Sequence, residues 1–212
     1  LFGDVKTVFP TGLETLSPYM QYQAVGREVI VPLAYPVEGH SVPVPGEKAP
    51  FDRFEFRSKG LHYTGIDDRV ELLSDVAVRI LKTDPKKSDD VTTIDSDRAI
   101  VDRKKQIIRF HMLEARPSEL RFVKITQPGM TSRSRRAEFK TGANPKRKIR
   151  TVRALDDVKI EERPKVSDSD SVAERRRARE SKTRYATAGI AEFDNDRNLI
   201  ILRDYPQVYQ DH

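Results

Sequence analysis

Histidine is the side chain whose ordinary pKa best suits proton transfer near neutral pH, and the sequence has four: His40, His62, His111 and His212. They are scattered along the chain, and no two have the His-Glu-x-x-His spacing of a zinc site. Surface or structural roles explain them more simply than catalysis does. The sequence therefore predicts no metal site and no cofactor.

The sequence also lacks the other residue patterns that indicate covalent catalysis. There is no Cys, no Gly-x-Ser-x-Gly turn that would present a nucleophilic serine, and no glycine-rich loop followed by Lys-Ser or Lys-Thr. The paired carboxylates Asp67-Asp68, Asp89-Asp90 and Asp156-Asp157 fall in predicted turns, where Asp commonly bonds the backbone. We predict that the protein is not an enzyme.

The positive charge is concentrated in one part of the chain. The net charge is +6, yet residues 130–184 alone hold 18 Lys and Arg against 9 Asp and Glu. Since arginine binds phosphate in a bidentate manner, we predict anion binding by Arg133, Arg135, Arg136 and Arg150. A solvated charged face is the simplest alternative. A nucleic-acid reader is another, although Phe139 is the only aromatic residue of this window before Tyr185 to stack on bases.

Alternating apolar residues indicate the elements that carry these side chains. The chain is 37% hydrophobic and 34% charged, with no apolar run near the roughly 18 residues of a membrane-spanning helix. In segments such as 54–57, 76–80 and 108–112 every second residue is apolar, which is typical of strands with one buried face. The pattern predicts an all-β protein.

The strands recur in a repeated unit. Residues 99–108 align without a gap with residues 191–200, and both read as strand, Asp-initiated turn and strand. Leu61, Ala99 and Ala137 are 38 residues apart, whereas the interval from Ala137 to Ala191 is 54. The return strands share a Leu, polar, Asp sequence at Leu73-Ser74-Asp75, Leu155-Asp156-Asp157 and Leu202-Arg203-Asp204. We predict repeated antiparallel hairpins within a single domain spanning residues 1–212.

Two segments interrupt the repeat. Residues 164–184 form a polar, basic insertion without an apolar face, so we expect it to be mobile. Residues 36–50 contain four prolines and are predicted to run irregularly over the surface.

Residues 188–211 carry a family resemblance. The segment Ala188-Gly189-Ile190-Ala191-Glu192-Phe193-Asp194, followed by a strand and a Gln-Asp-containing end, resembles the terminal unit of the OstA-like superfamily of lipopolysaccharide-transport proteins. Weaker similarity to the repeated unit of this superfamily covers residues 13–163. The basic insertion and the proline-rich loop depart from the family pattern. The sequence is most like the membrane-anchored inner-membrane component.

The resemblance implies an elongated β-jellyroll, V-shaped in section, that holds lipid A acyl chains in an apolar groove and passes them on for outer-membrane assembly. It implies a periplasmic location, with an anchoring N-terminal helix absent from this sequence. The implied partners are lipopolysaccharide, the inner-membrane transporter complex and neighbouring β-jellyrolls that pair with the end strands, near residues 5–9 and 199–209. Nucleic acid is not an expected partner. A basic nucleic-acid-binding protein and a β-repeat protein without a lipid ligand remain alternatives.

If a groove is present, the alternation predicts which side chains face it. Every second residue of a strand lies on the same face, and a register error of one residue would turn all of them outward. The residues predicted to face inward and contact lipid are Tyr63, Val78, Ile80, Ile108, Phe110, Phe139, Ile160, Phe193, Ile200 and Leu202.

Overall fold

The computed structural model describes residues 1–9, 12–42, 53–81, 91–113, 122–142, 149–163, 182–197 and 199–210. Strands account for 79% of this part of the chain and helices for none of it. All pairings between its strands are antiparallel, as the repeated hairpins require. The predicted all-β fold class is therefore confirmed.

Within the described residues, sixteen strands belong to one hydrogen-bonded sheet. In chain order they are β1 (Phe2–Phe9), β2 (Leu13–Tyr19), β3 (Gln21–Gln23), β4 (Glu28–Ser41), β5 (Arg53–Thr64), β6 (Arg69–Leu81), β7 (Val91–Ser96), β8 (Arg98–Asp102), β9 (Ile107–His111), β10 (Val123–Gln127), β11 (Met130–Ser134), β12 (Arg136–Thr141), β13 (Ile149–Glu162), β14 (Arg184–Asp194), β15 (Leu199–Arg203) and β16 (Gln207–Gln210).

The long strands divide the sheet into two layers, because each long strand pairs with different neighbours in its two halves. The first half of β6 pairs with β8 and its second half with β7, while the first half of β13 pairs with β12 and its second half with β11. The first layer runs β3-β4-β5-β6-β8-β9-β12-β13-β14-β15. The second layer runs β1-β2-β4-β5-β6-β7-β10-β11-β13-β14-β16. The core lies between the layers.

Aspartate residues recur at the points where the chain crosses from one layer to the other. Asp75, Asp156, Asp157 and Asp204 lie at crossings with φ between 50° and 65°, a left-handed conformation that Asp tolerates better than most residues. These are the Asp residues of the predicted return strands. The repeated Leu, polar, Asp sequence thus marks the points where the chain changes layer.

A buried serine also recurs at the crossings. Ser58, Ser96 and Ser134 each donate a hydroxyl hydrogen bond to the carbonyl oxygen two residues later, over 3.2, 3.3 and 2.8 Å. Ser17 makes the same bond to Tyr19 over 3.0 Å. Because the first three are 38 residues apart, this serine belongs to the repeat, and it satisfies a backbone acceptor at the bend.

The two interruptions of the repeat have different outcomes. The irregular path predicted for residues 36–50 is wrong at its start, since residues 36–41 belong to β4, where Pro36 follows a register shift. Proline is compatible with such an irregularity because the backbone donor that it lacks is not required there. Residues 43–50 and residues 164–181 of the predicted insertion lie outside the described residues.

Candidate functional site

The inner face of the first layer carries a continuous apolar row. Residues directly opposed across neighbouring strands share a face, so strand register alone defines this row. Its members are Val29, Tyr63, Val70, Val101, Ile108, Phe139, Val152, Phe193 and Ile200. A second row beside it contains Leu61, Leu72, Ala99, Phe110, Ala137, Ala154, Ala191 and Leu202.

The second layer presents an apolar row to the first. It runs through Phe56, Val78, Ile94, Ile125, Ser132, Ile160, Ala186 and Val208. Between the layers lies a cavity of about 220 Å³, which we call the groove. Its apolar lining is contributed by both layers and includes Phe54, Phe56, Val70, Leu72, Val78, Ile80, Ile94, Ala99, Val101, Ile108, Phe110 and Phe139.

The residues predicted to contact lipid all lie on the inner faces of the layers. Tyr63, Val78, Ile80, Phe110, Phe139, Ile160 and Phe193 are buried in the core. Ile108 and Leu202 are partly buried against it, and Ile200 is 50% exposed. Of the ten, Val78, Ile80, Ile108, Phe110 and Phe139 line the groove itself. Whether any of them contacts lipid remains a prediction.

Two buried rings close the groove on the side of the first layer. Phe110 and Phe139 lie on the paired strands β9 and β12, with ring centroids 5.2 Å apart in an edge-to-face arrangement. Such aromatic pairs are favourable beyond the area that they bury. The two buried rings form one wall of the groove. Ile108, which is directly opposed to Phe139, is partly exposed.

Polar residues lie at the mouth of the groove, in the turn between β8 and β9. Asp102, Arg103 and Gln106 belong to the cavity lining there. Burial acts to raise the pKa of Asp102, but the hydrogen bonds and charge of Lys105 together hold it below its usual value. Burial, followed by the charge of Asp68, raises the pKa of the nearby Tyr63 phenol. The groove thus has an apolar interior and a polar rim, the arrangement that an amphiphile requires.

The inner apolar rows continue beyond the groove to an open C-terminal end. Ile200 of β15 and Val208 of β16 are 50% and 68% exposed although they continue the inner rows. Within the described residues β15 and β16 pair only with β14, and β1 at the opposite end pairs only with β2. Inner-face apolar side chains and strand edges are therefore both uncovered at the ends.

The structure does not bring the four predicted anion-binding arginines together. Arg135 and Arg136 donate to Asp157 and Asp156 over 2.7 and 2.6 Å. The hydrogen bond to Asp156 and the charge of this residue raise the pKa of Arg136.

The other two arginines lie apart from this pair. Arg133 is exposed on the outer face of the second layer, between Lys124 and Lys159. Arg150 lies at the opposite end of the β12–β13 ladder from Arg136, about 17 Å away at 3.4 Å per residue. The sequence could not show these separations, because the register of strands that are distant along the chain sets them.

His111 of β9 is partly buried, and its surroundings perturb its pKa. It is directly opposed to Arg98 and to Arg136 on the two neighbouring strands. Its buried Nε2 atom has no hydrogen-bond partner among the described residues. Burial, then the charges of Arg136, Arg109 and Arg98, lower the pKa of His111 below its usual value. The folded state therefore favours the neutral ring.

This shift predicts that stability decreases as the pH falls below about 6.5, the unfolded histidine pKa, toward the lower folded value. The unfolded chain binds the proton more readily than the folded chain does, so protonation favours unfolding. We expect the midpoint of thermal unfolding to drop between pH 7.5 and pH 5.5, and His111→Gln to remove most of that drop. An unchanged pH dependence in His111→Gln would assign the effect to other groups.

The described residues contain no cluster of three or more His, Asp or Glu side chains that could hold a metal ion. Over the same residues, no helix is sufficiently long and apolar to cross a membrane.

Comparison with known proteins finds similarity to solved structures. No protein-family description matches the sequence, and no curated protein matches it. The chain is similar to a crystal structure of LptH, described as the LptA homologous periplasmic component of the conserved lipopolysaccharide transport device from Pseudomonas aeruginosa. The similarity covers 65% of this chain and 91% of LptH, with 10% identity and a TM-score of 0.42.

Proposed function

We propose that this protein is a lipopolysaccharide-transport component that holds lipid acyl chains between its two layers, without covalent chemistry. The observation that carries the proposal is the groove of about 220 Å³, which has an apolar interior and a polar mouth. The resemblance of residues 188–211 to the terminal unit of lipopolysaccharide-transport proteins supports the choice of ligand.

The size of the groove limits how lipid is held. An apolar cavity of about 150 Å³ is large enough to bind benzene. The groove therefore accepts part of one acyl chain, and each buried methylene contributes about 0.8 kcal/mol. Several acyl chains would require the layers to separate, because a cavity of this size holds only part of one chain.

The uncovered strand edges support a proposal about partners. We propose that β1 at one end and β15 with β16 at the other pair with neighbouring β-jellyroll components, so that the inner apolar faces of successive molecules become continuous. Unpaired backbone groups on edge strands favour such strand addition. We place this chain in the periplasm, between the inner-membrane transporter and the outer membrane, with an N-terminal anchor as part of the same proposal.

A groove-filling substitution tests the proposal. Ala99 is buried and lines the groove, so Ala99→Leu adds three carbon atoms to the space that lipid would occupy. We expect the affinity for a fluorescent fatty acid, measured by titration, to fall at least tenfold. Unlabelled lipopolysaccharide should displace the probe from the wild-type protein.

Ala77→Leu is the matched control, since it adds the same atoms on the exposed outer face of the second layer. Circular dichroism and thermal unfolding would show that both variants fold. Equal probe binding by the two variants, or no displacement by lipopolysaccharide, would contradict the proposal and favour a β-repeat protein without a lipid ligand.

A further inference from the structure

A row of three cations crosses the outer face of the second layer. Lys124 of β10 is directly opposed to Arg133 of β11, which is directly opposed to Lys159 of β13. All three side chains are exposed. Neighbouring strands are about 4.8 Å apart, and like charges opposed at this distance destabilise a sheet. We call these residues the cation row.

The equivalent outer row of the first layer is organised differently. It places Arg109, Glu138, Arg153 and Glu192 on four successive strands, so that positive and negative charges alternate. Arg109 lies 3.1 Å from Glu138, and Arg153 lies 3.6 Å from Glu192. The same sheet therefore neutralises cations on one outer face and juxtaposes them on the other.

Nearby carboxylates do not neutralise the cation row. Asp157 and Glu161 flank it on β13, but they are paired with Arg135 and Arg163 at 2.7 and 2.6 Å. Asp95 of β7 is opposed to Lys124 and contributes one negative charge at the end of the row. Asp97 lines the same surface depression as Lys124 and Arg133, but it is buried and accepts a hydrogen bond from the Leu113 N–H. Within the described residues no member of the cation row has an ion-pair partner, so the row keeps a net positive local charge.

Three cations elsewhere on this outer face are paired with carboxylates. Lys6 lies 2.8 Å from Glu14, Arg57 lies 3.2 Å from Glu38, and Arg79 lies 3.3 Å from Glu55. These pairs lie toward the N-terminal end of the second layer. Within the described residues these three cations have carboxylate partners, whereas those of the cation row do not.

Exposed aromatic rings accompany the cation row. Glu161 is opposed to Tyr185 of β14, which is opposed to Tyr209 of β16, so both tyrosines lie on the same outer face. They are 37% and 51% exposed. On the other side of the row, the Lys159 ammonium lies 5.9 Å from the centre of the Phe122 ring. Exposed tyrosines beside basic residues are typical of surfaces that contact a lipid headgroup region.

We propose that this face docks on the surface of a phospholipid bilayer that carries anionic headgroups. The face is an exposed sheet surface, so it suits an extended array of phosphates better than one small anion, which would stay hydrated there. Nucleic-acid readers use a basic groove that follows the phosphate backbone, and three cations on one row provide no such path. The proposal does not depend on lipid binding in the groove.

Sedimentation with vesicles tests it on the full chain. The wild-type protein should sediment with phosphatidylcholine vesicles containing 30 mol% phosphatidylglycerol and not with pure phosphatidylcholine. Each basic residue near an anionic surface strengthens binding about fivefold. We therefore expect the triple variant Lys124→Gln, Arg133→Gln, Lys159→Gln to lose about a hundredfold in partition coefficient.

The control variant is Lys6→Gln, Arg57→Gln, Arg79→Gln, which has the same change in net charge on the same outer face. It should lose less than about threefold, because these cations lie on β6, β5 and β1, two, three and six strands away from β10 at about 4.8 Å per strand, and salt screens charges beyond about 10 Å. Equal losses in both variants would show that net charge alone drives binding, and the proposal would be wrong. The proposal would also be wrong if the wild-type protein did not sediment with the anionic vesicles. Tighter binding of single-stranded DNA or inorganic phosphate than of vesicles by the cation row would contradict it as well. Circular dichroism checks folding.

Discussion

Proline at one of two neighbouring positions of β15, Ile200 or Ile201, is expected to reduce binding of a neighbouring β-jellyroll at least tenfold. Successive backbone N–H groups of an edge strand point alternately toward the sheet and away from it. One of the two positions therefore donates to β14, and the other donates to an added strand. Proline removes the donor, and its ring also blocks the approach of another strand.

Alanine at the same positions is the matched control, because it keeps the N–H group and removes only the side chain. Pull-down of the neighbouring component measures binding. Thermal unfolding shows which of the two residues has a backbone N–H that bonds β14, because proline there lowers the unfolding midpoint. The proline variant that keeps the wild-type unfolding midpoint is informative. Should it bind as well as its alanine counterpart, the interface depends on side chains and strand addition is wrong.

Phe139→Ala is expected to lower the free energy of unfolding by about 3–5 kcal/mol, the usual cost of removing a buried ring. Phe139 is 1% exposed and packs edge-to-face against Phe110. The loss is a large fraction of the 5–15 kcal/mol typical of a domain. Urea denaturation measures it.

Ile200→Ala is the control from the same inner row. Because Ile200 is 50% exposed at the open end, its truncation should cost less than about 1 kcal/mol. Similar costs for both variants would mean that the wall of the groove is not tightly packed around Phe139.

Residue alternation was sufficient to predict the strands and the face on which each apolar residue lies. Phe139, Phe193 and Ile200 were predicted to face inward, and strand register places them on one inner row. The exposure of Ile200 could not be predicted, because it depends on β15 having no further neighbour among the described strands. Alternation identifies the face of a strand, and the number of neighbours determines burial.

Contacts between strands that are distant along the chain could not be predicted from the sequence. Anion binding was predicted for Arg133, Arg135, Arg136 and Arg150. Two of them, Arg135 and Arg136, are instead paired with Asp157 and Asp156 of another strand. The cation row combines Arg133 with Lys124 and Lys159, which are separated along the chain and meet only through register. The serine at each crossing, by contrast, was visible as a 38-residue repeat at Ser58, Ser96 and Ser134 and was missed.

Photo-crosslinking from two adjacent residues tests the central claim most directly. Ile108 lines the groove between the layers, and Arg109 lies on the outer face of the same strand. The two positions are neighbours on one strand and meet the same lipopolysaccharide concentration. They therefore differ only in the face of the sheet on which the photoreactive residue lies. We predict strong crosslinking of lipopolysaccharide from position 108 and little from position 109. Equal labelling at both positions, or labelling only at 109, would show that lipid does not enter the groove.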